Sequence, residues 1–330
     1  MQLRVAIIGA GLMGHWHAYY VKQTGARITA VIDPDKAAAD VLSVKYEGRV
    51  FADLEEALQH SSFDVVHICT PCHSHVQLSE QALSADKHVI IEKPIAESAA
   101  QVSELVKMAA NKNRLICPVH QFAFQHGILL VKEELARRNS TPLAVVFDFA
   151  SAGGDGRPEH ELNPILLEIL PHPLSILSEL WPSDMLELDT WQVDNPCAGE
   201  LLAYGRHQGI LASIKISLNA RPTHCNMKIY HRQGAIHVNL FHGFAVLESS
   251  AVSRSRKITA PFIFSAKTFY AASCNLLRRL LNREPAYPGL KMLIKKYYES
   301  IEKAESEPIS SAHYIAITRM CEGFKRKMSE

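Results

Sequence analysis

The sequence lacks several features that would place it in a class at once. It contains no run of about 18 uninterrupted apolar residues, the minimum for a membrane-spanning helix. Lys and Arg total 35 against 34 Asp and Glu, and the net charge of +1 gives no sign of a nucleic-acid or anionic-membrane partner. No G-x-S-x-G string is present, so acyl transfer through a serine elbow is not expected. We therefore expect neither nucleic acid nor membrane as a partner.

A disulfide framework is also missing. The seven cysteines are odd in number and widely scattered, which is typical of reduced thiols in a cytoplasmic protein. The N-terminal string MQLRVAIIGAG leads directly into a strand-like run, so we expect no signal peptide and a cytoplasmic location. With 330 residues, the chain is long enough for two domains of ordinary size.

Up to about residue 120, short β-rich runs alternate with segments of helical periodicity. The predicted strands are Leu3–Ile8, Ile28–Ile32, the short Val50–Phe51, Val65–Cys69, Val89–Ile91 and Leu115–Cys117. The predicted helices lie near Met13–Gln23, Lys36–Tyr46, Asp53–Gln59, Val76–Ala85 and Ala96–Asn113. This alternation predicts a doubly wound parallel sheet covered on both faces by helices.

A glycine-rich string follows the first predicted strand. It consists of Gly9, Ala10, Gly11, Leu12, Met13 and Gly14. The spacing fits a dinucleotide-binding loop, because its glycines permit a tight turn, backbone approach to a pyrophosphate and close packing of helix on strand. Asp33 ends the second strand, where a carboxylate accepts hydrogen bonds from both adenosine ribose hydroxyls and repels a 2′-phosphate. The pattern predicts NAD rather than NADP; the alternative is a turn cluster in an unrelated α/β protein.

Two further strings end predicted strands at the edge where open α/β sheets bind ligands. The first is CTPCHSH, residues 69–75, and the second is EKP, residues 92–94. We expect Thr70, Pro71, His75 and Glu92 to border the cofactor. Lys93 is either a surface lysine at a strand end or a group that hydrogen-bonds a substrate hydroxyl and exchanges a proton.

The crowding of Cys69, Cys72, His73 and His75 also raises the possibility of zinc. Cys69 lies inside a predicted buried strand, and no second cluster follows at a zinc-ribbon spacing. The strand-end turn explains these residues without a metal, so no metal site is expected.

The strings GAGLMGHWHA, ICTPCHSH and EKPIA, in this order and spacing, resemble the Gfo/Idh/MocA oxidoreductase family, relatives of glucose–fructose oxidoreductase and inositol dehydrogenase. The resemblance implies an N-terminal Rossmann domain over residues 1–120. It also implies a C-terminal α/β domain over residues 121–330, built on a large open, mostly antiparallel sheet for substrate binding and oligomerisation. In that family the lysine of the EKP motif, here Lys93, lies beside the nicotinamide.

The resemblance also assigns a role to the stretch LLEILPHPLSILSEL, residues 166–180. Alone, His172 between Pro171 and Pro173 is either a packed histidine near a kink or an imidazole presented for catalysis. Relatives carry a D-x-x-x-H string here, and in this chain Glu168 and His172 take its places. His172 is then expected to exchange the hydroxyl proton while Lys93 hydrogen-bonds the same oxygen, and the sequence leaves open which of them is the acid/base. Glu168 is expected to orient the imidazole or bind another hydroxyl.

The chain departs from its relatives around this histidine. Leu170 stands where relatives have glycine, and Ile176 where they often have a second acid. Residues 118–126 read PVHQFAFQH, without the arginine that relatives carry, which implies a substrate other than a simple hexose or inositol. His120 and Gln121 are expected either to contact substrate or merely to bridge the two domains.

From Leu143 onward the pattern changes to strands joined by short turns, which predicts an antiparallel sheet. Its broad face is expected, from the resemblance, to pair with its copy in a homo-oligomer. Helices are predicted over Phe262–Asn282, Leu290–Ala304 and Ser311–Lys327.

Together these features predict an NAD-dependent oxidoreductase that acts on a secondary alcohol of a sugar, a cyclitol or a derivative. Two alternatives from the same family remain: an NAD-retaining enzyme that cleaves glycosides through transient oxidation, and a non-catalytic NAD-sensing regulator. The presence of both Lys93 and His172 argues against the regulator.

Overall fold

The chain divides into two compact units. The computed structural model describes residues 2–138, 141–181, 187–250 and 253–329. The first unit comprises the residues up to His120 together with Leu290–Glu322, and the second comprises Gln121–Gly289 with the residues from Gly323 onward.

The first unit is built on a six-stranded parallel sheet. Its elements are β1 (Arg4–Ile8), α1 (Leu12–Thr24), β2 (Arg27–Ile32), α2 (Lys36–Tyr46), β3 (Arg49–Phe51), α3 (Leu54–His60), β4 (Val65–Ile68), α4 (His75–Ser84), β5 (His88–Ile91), α5 (Ala99–Asn111) and β6 (Ile116–Pro118). The strand order is β3-β2-β1-β4-β5-β6, and every pairing is parallel. All four residues of β4 are buried, as are the last four of β1, because helices cover both faces of the sheet. The predicted doubly wound sheet is confirmed.

Two C-terminal helices, α10 (Leu290–Lys303) and α11 (Ser311–Lys327), correct the predicted domain boundary. The sequence placed all residues after 120 in the second domain, whereas residues 290–322 join the first unit. The buried Tyr297 hydroxyl lies 2.8 Å from both the Val89 and the Leu115 carbonyl oxygens. Tyr314, also buried, donates to the Ile116 carbonyl at 3.3 Å. The two helices therefore complete the core of the parallel sheet.

The second unit contains a seven-stranded sheet. Its elements are α6 (His126–Arg138), β7 (Ala144–Ala150), α7 (Glu159–Ile169), α8 (Pro171–Leu180), β8 (Trp191–Asp194), β9 (Glu200–His207), β10 (Ile210–Ser217), β11 (His224–His231), β12 (Gly234–Asn239), β13 (Phe244–Ser249) and α9 (Arg254–Leu281). The order is β13-β12-β11-β7-β10-β9-β8, and within this sheet, as far as it is described, β7 and β10 form the one parallel pair. The predicted open, mostly antiparallel sheet is confirmed.

Prolines shape two helical regions of this unit. Leu170, in helical conformation, separates α7 from α8, and Pro171 opens α8 because its ring cannot donate the backbone hydrogen bond that would continue α7. Helix α9 begins at Arg254, eight residues before its predicted start, and runs through Pro261. Residues 257–263 are exposed, so water can satisfy the carbonyl that Pro261 leaves without a donor.

Among the described helices, none combines the length and apolar character required to cross a bilayer.

Candidate functional site

The glycine loop between β1 and α1 has the geometry of a phosphate cradle. Gly9 adopts a φ of +93°, and its N–H donates to the Ile32 carbonyl at 2.9 Å. A Cβ on Gly9 would lie 2.6 Å from the Cys69 carbonyl oxygen, and one on Gly14 would lie 1.8 Å from the Gly9 carbonyl oxygen. A Cβ on Gly11 would meet no atom within 4 Å. Two glycines are therefore required by the fold itself, whereas Gly11 keeps a space open at the N-terminus of α1, where N–H groups favour anions.

Asp33 lies at the carboxyl end of β2, next to this loop. Its Oδ2 accepts a hydrogen bond from the Ala10 N–H at 2.7 Å, and its Oδ1 accepts one from the Asp35 N–H at 2.8 Å. These two bonds orient the carboxylate, and each oxygen keeps a further lone pair for a ligand hydroxyl. Leu12 is exposed and Met13 half-buried at the start of α1. The predicted cofactor residues of the glycine loop and Asp33 thus lie at one edge of the sheet.

The ends of β4 and β5 are linked by a buried imidazole. His75 Nδ1 is 2.8 Å from the Pro94 carbonyl oxygen, and His75 Nε2 is 2.8 Å from that of Thr70. The Ser74 hydroxyl donates to Thr70 Oγ1 at 2.7 Å, and Pro71 precedes the short helical turn Cys72–Ser74. His75 therefore binds the backbones of both predicted strings, one after each strand, and ties the EKP turn to the turn after β4.

Glu92 begins a buried chain of side-chain hydrogen bonds. His17 Nε2 lies 3.1 Å from Glu92 Oε1, His17 Nδ1 lies 2.8 Å from His67 Nδ1, and His67 Nε2 lies 2.7 Å from the Tyr298 hydroxyl. The two histidines are fully buried, and Glu92 and Tyr298 nearly so. The chain crosses the first unit from α10 through β4 and α1 to the carboxyl end of β5.

The chemistry of these groups gives the chain a direction. Burial, with the neighbouring His17 as a second cause, lowers the pKa of His67 well below its ordinary value, so His67 carries one ring hydrogen. Burial raises the pKa of Tyr298 well above its ordinary value, so its hydroxyl keeps its hydrogen. The Tyr298 hydroxyl therefore donates to His67 Nε2, which leaves the single ring hydrogen of His67 on Nδ1, facing His17 Nδ1. The chain thereby holds the carboxylate next to Lys93 in a fixed orientation.

Lys93 and His120 interact at the same edge of the first unit. Burial, and in second place the charge of Lys93, lower the pKa of His120 to about 3, so its ring is neutral near pH 7. No hydrogen-bond partner for His120 Nδ1 exists within the residues that the structure describes, although that atom is buried. The backbone N–H of Lys93 lies 3.3 Å from Glu92 Oε2. The first unit thus presents an ammonium group and a neutral imidazole beyond the ends of β5 and β6.

In the second unit, His172 is the second residue of α8 and is half-buried. Its ring stacks on Phe122, with centroids 4.2 Å apart and planes inclined by 14°. The His172 carbonyl accepts a hydrogen bond from the Ser175 hydroxyl at 2.8 Å, within the first turns of the helix. Helix and stacking partner together fix the plane of the imidazole.

The other predicted residues of this unit differ in exposure. Glu168 is exposed near the end of α7, whereas Gln121 is buried and its Oε1 has no partner among the described atoms. Leu170 and Ile176, which replace a glycine and an acid of the relatives, are fully buried. They are therefore core residues here, and no polar group can reach a substrate from those two positions.

The cysteine–histidine string after β4 forms no metal centre in the described parts of the chain, where no group of three or more His, Cys, Asp or Glu is placed to hold an ion. Burial, with the charge of Glu92 as a second cause, raises the pKa of Cys69 well above its ordinary value, which leaves the thiol protonated. A protonated thiol is a poor metal ligand.

Sequence reasoning missed two parts of this arrangement. The sequence places His67 in an apolar strand and Tyr298 in the other domain, so it does not predict their hydrogen bond. Phe122 belongs to the string after β6, and nothing in that string predicts that it stacks on His172. A histidine within an otherwise apolar strand is the signal that points to a buried polar network.

Residues 3–120 match the Gfo/Idh/MocA family model, which describes an oxidoreductase family with an NAD-binding Rossmann fold. Over this part of the chain, the protein is similar to the Gfo/Idh/MocA oxidoreductase family. The resemblance seen in the sequence is thereby confirmed over these residues, which match the NAD-binding Rossmann fold that the family model describes.

Curated relatives align with only part of the chain. Inositol 2-dehydrogenase of Paracoccus denitrificans is 27% identical over 191 residues, 56% of each chain. D-glucoside 3-dehydrogenase of Escherichia coli is 33% identical over 136 residues, 40% of this chain and 38% of that protein. Across three such relatives, the chain covers between 34% and 58% of their length.

Solved structures extend the likeness in fold to the whole chain. A levoglucosan dehydrogenase in complex with NADH and levoglucosan superposes with a TM-score of 0.79 at 15% identity, covering 100% of this chain and 98% of the other. UDP-N-acetylglucosamine 3-dehydrogenase from Acidithiobacillus ferrooxidans gives a TM-score of 0.77 at 15% identity, covering 99% and 98%. At such identities the likeness concerns the fold alone.

Proposed function

We propose that the protein is an NAD-dependent oxidoreductase that transfers hydride between nicotinamide and a secondary alcohol or ketone of a sugar, a cyclitol or a derivative. The observation that carries this proposal is the glycine loop, in which Gly9 and Gly14 admit no side chain and Gly11 faces open space. Similarity to inositol and glucoside dehydrogenases supports the substrate class.

The residues of the first unit fit NAD. The N–H groups around Gly11 and the start of α1 suit the pyrophosphate, with Leu12 and Met13 beside it. The oriented carboxylate of Asp33 suits two ribose hydroxyls and disfavours NADP. We assign Thr70, Pro71, His75, Glu92 and Lys93 to the border of the nicotinamide end. When bound, the nicotinamide ring supplies the carbon that accepts or gives up the hydride.

We assign the proton exchange to His172 and the stabilisation of the same oxygen to Lys93. An imidazole suits proton exchange near neutral pH, and stacking on Phe122 holds its plane so that a ring nitrogen can meet a hydroxyl in one orientation. An ammonium group donates hydrogen bonds to an oxygen that develops negative charge. Exposed Glu168 is proposed to orient the imidazole or bind a further hydroxyl.

His120 and Gln121 are proposed as substrate contacts rather than as simple connectors. His120 is neutral near pH 7, and its buried Nδ1 has no partner in the described chain. The same holds for Gln121 Oε1. Buried polar atoms without partners are costly, and a ligand rich in hydroxyl groups would supply the missing hydrogen bonds.

The test is NADH formation, followed by its absorbance, with NAD and a panel of polyols, sugars and nucleotide sugars. We expect Lys93→Met and His172→Gln each to lower kcat by about 10²-fold or more, while His172→Gln leaves the Kd of NAD unchanged. His60→Gln, at an exposed position on α3, is the matched control and should behave as the unaltered protein. Unchanged turnover in His172→Gln would remove that residue from the mechanism. A glycoside cleaved without NADH accumulation would replace net oxidation by internal redox chemistry.

We further propose a cytoplasmic homo-oligomer that pairs through the open face of the second sheet. Leu202, Tyr204, Leu211 and Tyr230 are partly exposed, and the strand register places them on one face. None of the seven cysteines, all of which the structure describes, forms a disulfide, which fits a reducing compartment. Sedimentation velocity of Tyr204→Arg tests the interface, since a buried arginine would shift a dimer toward monomer.

A further inference from the structure

Helix α9 exposes an unusually large apolar surface. Nine of its large apolar side chains are between 50% and 77% exposed: Ile258, Phe262, Ile263, Phe269, Tyr270, Leu276, Leu277, Leu280 and Leu281. From Lys257 to Leu281, where the side chains are described, Asn275 alone is buried. So many clustered exposed apolar residues usually mark an interaction surface. We call these nine residues the α9 apolar face.

The face lies on one side of the helix, opposite the side that packs on the second unit. At about 100° per residue, the nine positions fall within an arc of about 140°. The packed side is held by other groups: the Phe264 ring lies 4.6 Å from that of His237, and Asn275 Nδ2 donates to the His242 carbonyl at 2.9 Å. The apolar face is therefore not the surface by which α9 is attached to its own domain.

The segment that carries this face is strongly basic. No aspartate or glutamate occurs between Glu248 and Glu284. The same interval contains seven basic residues, Arg254, Arg256, Lys257, Lys267, Arg278, Arg279 and Arg283. The whole chain carries a net charge of only +1, so positive charge is concentrated here and balanced elsewhere.

We propose that α9 docks the protein on the surface of an anionic lipid bilayer, with the α9 apolar face inserted at the level of the headgroups. A broad apolar arc with aromatic residues, accompanied by Lys and Arg without acids, is the pattern of helices that lie in the membrane interface. The segment around the face carries seven basic residues and no acid, and the negative potential of anionic headgroups attracts such a charge. This surface is separate from the cofactor residues, and the proposal is independent of the proposed enzymatic function.

Charge selects this occupant over a second copy of the chain. Pairing two α9 helices would bring together two segments that each carry seven basic residues and no acid between Glu248 and Glu284; of these basic residues, Arg278 has an acidic partner, Glu284 at 3.8 Å. Such repulsion disfavours a symmetric contact, whereas an anionic bilayer neutralises the same charges.

Flotation of the full-length protein with lipid vesicles tests the proposal. We expect binding to vesicles of phosphatidylcholine mixed with phosphatidylglycerol, little binding to phosphatidylcholine alone, and loss of binding in high salt. The double variant Phe269→Ser, Leu280→Ser should bind at least about tenfold more weakly. The matched control Val41→Ser, Val44→Ser alters two residues of α2 that are 60% and 90% exposed, and it should bind as the unaltered protein does. Circular dichroism and NAD binding check that both variants fold.

A fluorescent variant gives a second reading. Phe269→Trp places an indole in the α9 apolar face, and we expect its emission to shift to shorter wavelength when anionic vesicles are added. Three results would overturn the proposal. These are absence of vesicle binding with intact fold, equal binding to neutral and anionic vesicles, and a dimer that the Phe269→Ser, Leu280→Ser variant converts to monomer without any vesicle binding.

Discussion

Alanine substitutions at two glycines of the cofactor loop should separate the requirements of the fold from those of the ligand. The Cβ of Gly14→Ala would lie 1.8 Å from the Gly9 carbonyl oxygen and 2.9 Å from its carbon. Both are backbone atoms, so α1 must move away from the loop to relieve the clash. Overpacking of a tight contact costs about 3 kcal/mol, and we expect a loss of that size in the free energy of unfolding.

Gly11→Ala places the same methyl group in open space. Gly11 has φ −72° and ψ −165°, an extended conformation that alanine adopts without strain, and no atom lies within 4 Å of the added Cβ. We therefore expect the free energy of unfolding without ligand to change by less than about 1 kcal/mol. The space that the methyl group fills is the space assigned to the pyrophosphate. The Kd of NAD should rise at least about tenfold, equivalent to about 1.4 kcal/mol of binding free energy.

Urea denaturation of the ligand-free variants and titration calorimetry with NAD measure the two quantities separately. Gly14→Ala should lose stability and affinity together, whereas Gly11→Ala should lose affinity alone. If Gly11→Ala bound NAD within about twofold of the unaltered protein, the pyrophosphate would not lie over Gly11, and the placement of the cofactor would be wrong. A large loss of stability in Gly11→Ala would contradict the open space itself.

Three further predictions concern other parts of the first unit. Asp33→Asn removes the charge that repels a 2′-phosphate, so the ratio of NADP to NAD affinity should rise about tenfold or more in parallel titrations; an unchanged ratio would contradict the role of Asp33. Tyr298→Phe leaves buried His67 Nε2 without its donor, and the urea midpoint should report a loss of about 1–3 kcal/mol. Because the pKa of His120 is lowered to about 3 in the folded protein, the unfolded state binds the extra proton as pH falls below about 6.5. Stability should therefore fall by up to about 1.4 kcal/mol per pH unit there, and His120→Asn should flatten that slope.

The sequence alone predicts much of the first unit, because its signals are local. A glycine spacing, an aspartate at a strand end and two short strings each follow a strand within a few residues, and a parallel sheet brings all strand ends to one edge. The hydrogen bond between His67 and Tyr298 joins residues far apart in the chain, so no local pattern specifies it. The same reason explains the wrong domain boundary: the amphipathic pattern of α10 predicts a helix but does not say which sheet its tyrosines contact.

The side of α9 that faces outward is the clearest case in which a predicted helix presents a surface that its sequence pattern does not place. Its periodicity predicts an amphipathic helix, and the usual inference is that the apolar side faces the core. In the structure the helix is attached through Phe264, Asn275 and their neighbours, while the wider apolar arc is exposed. The expectation of no membrane partner rests on the net charge and on the lack of a long apolar run. A search for a long apolar run does not detect a helix whose apolar residues alternate with polar ones. The net charge does not detect a basic helix when acids elsewhere in the chain balance its charge.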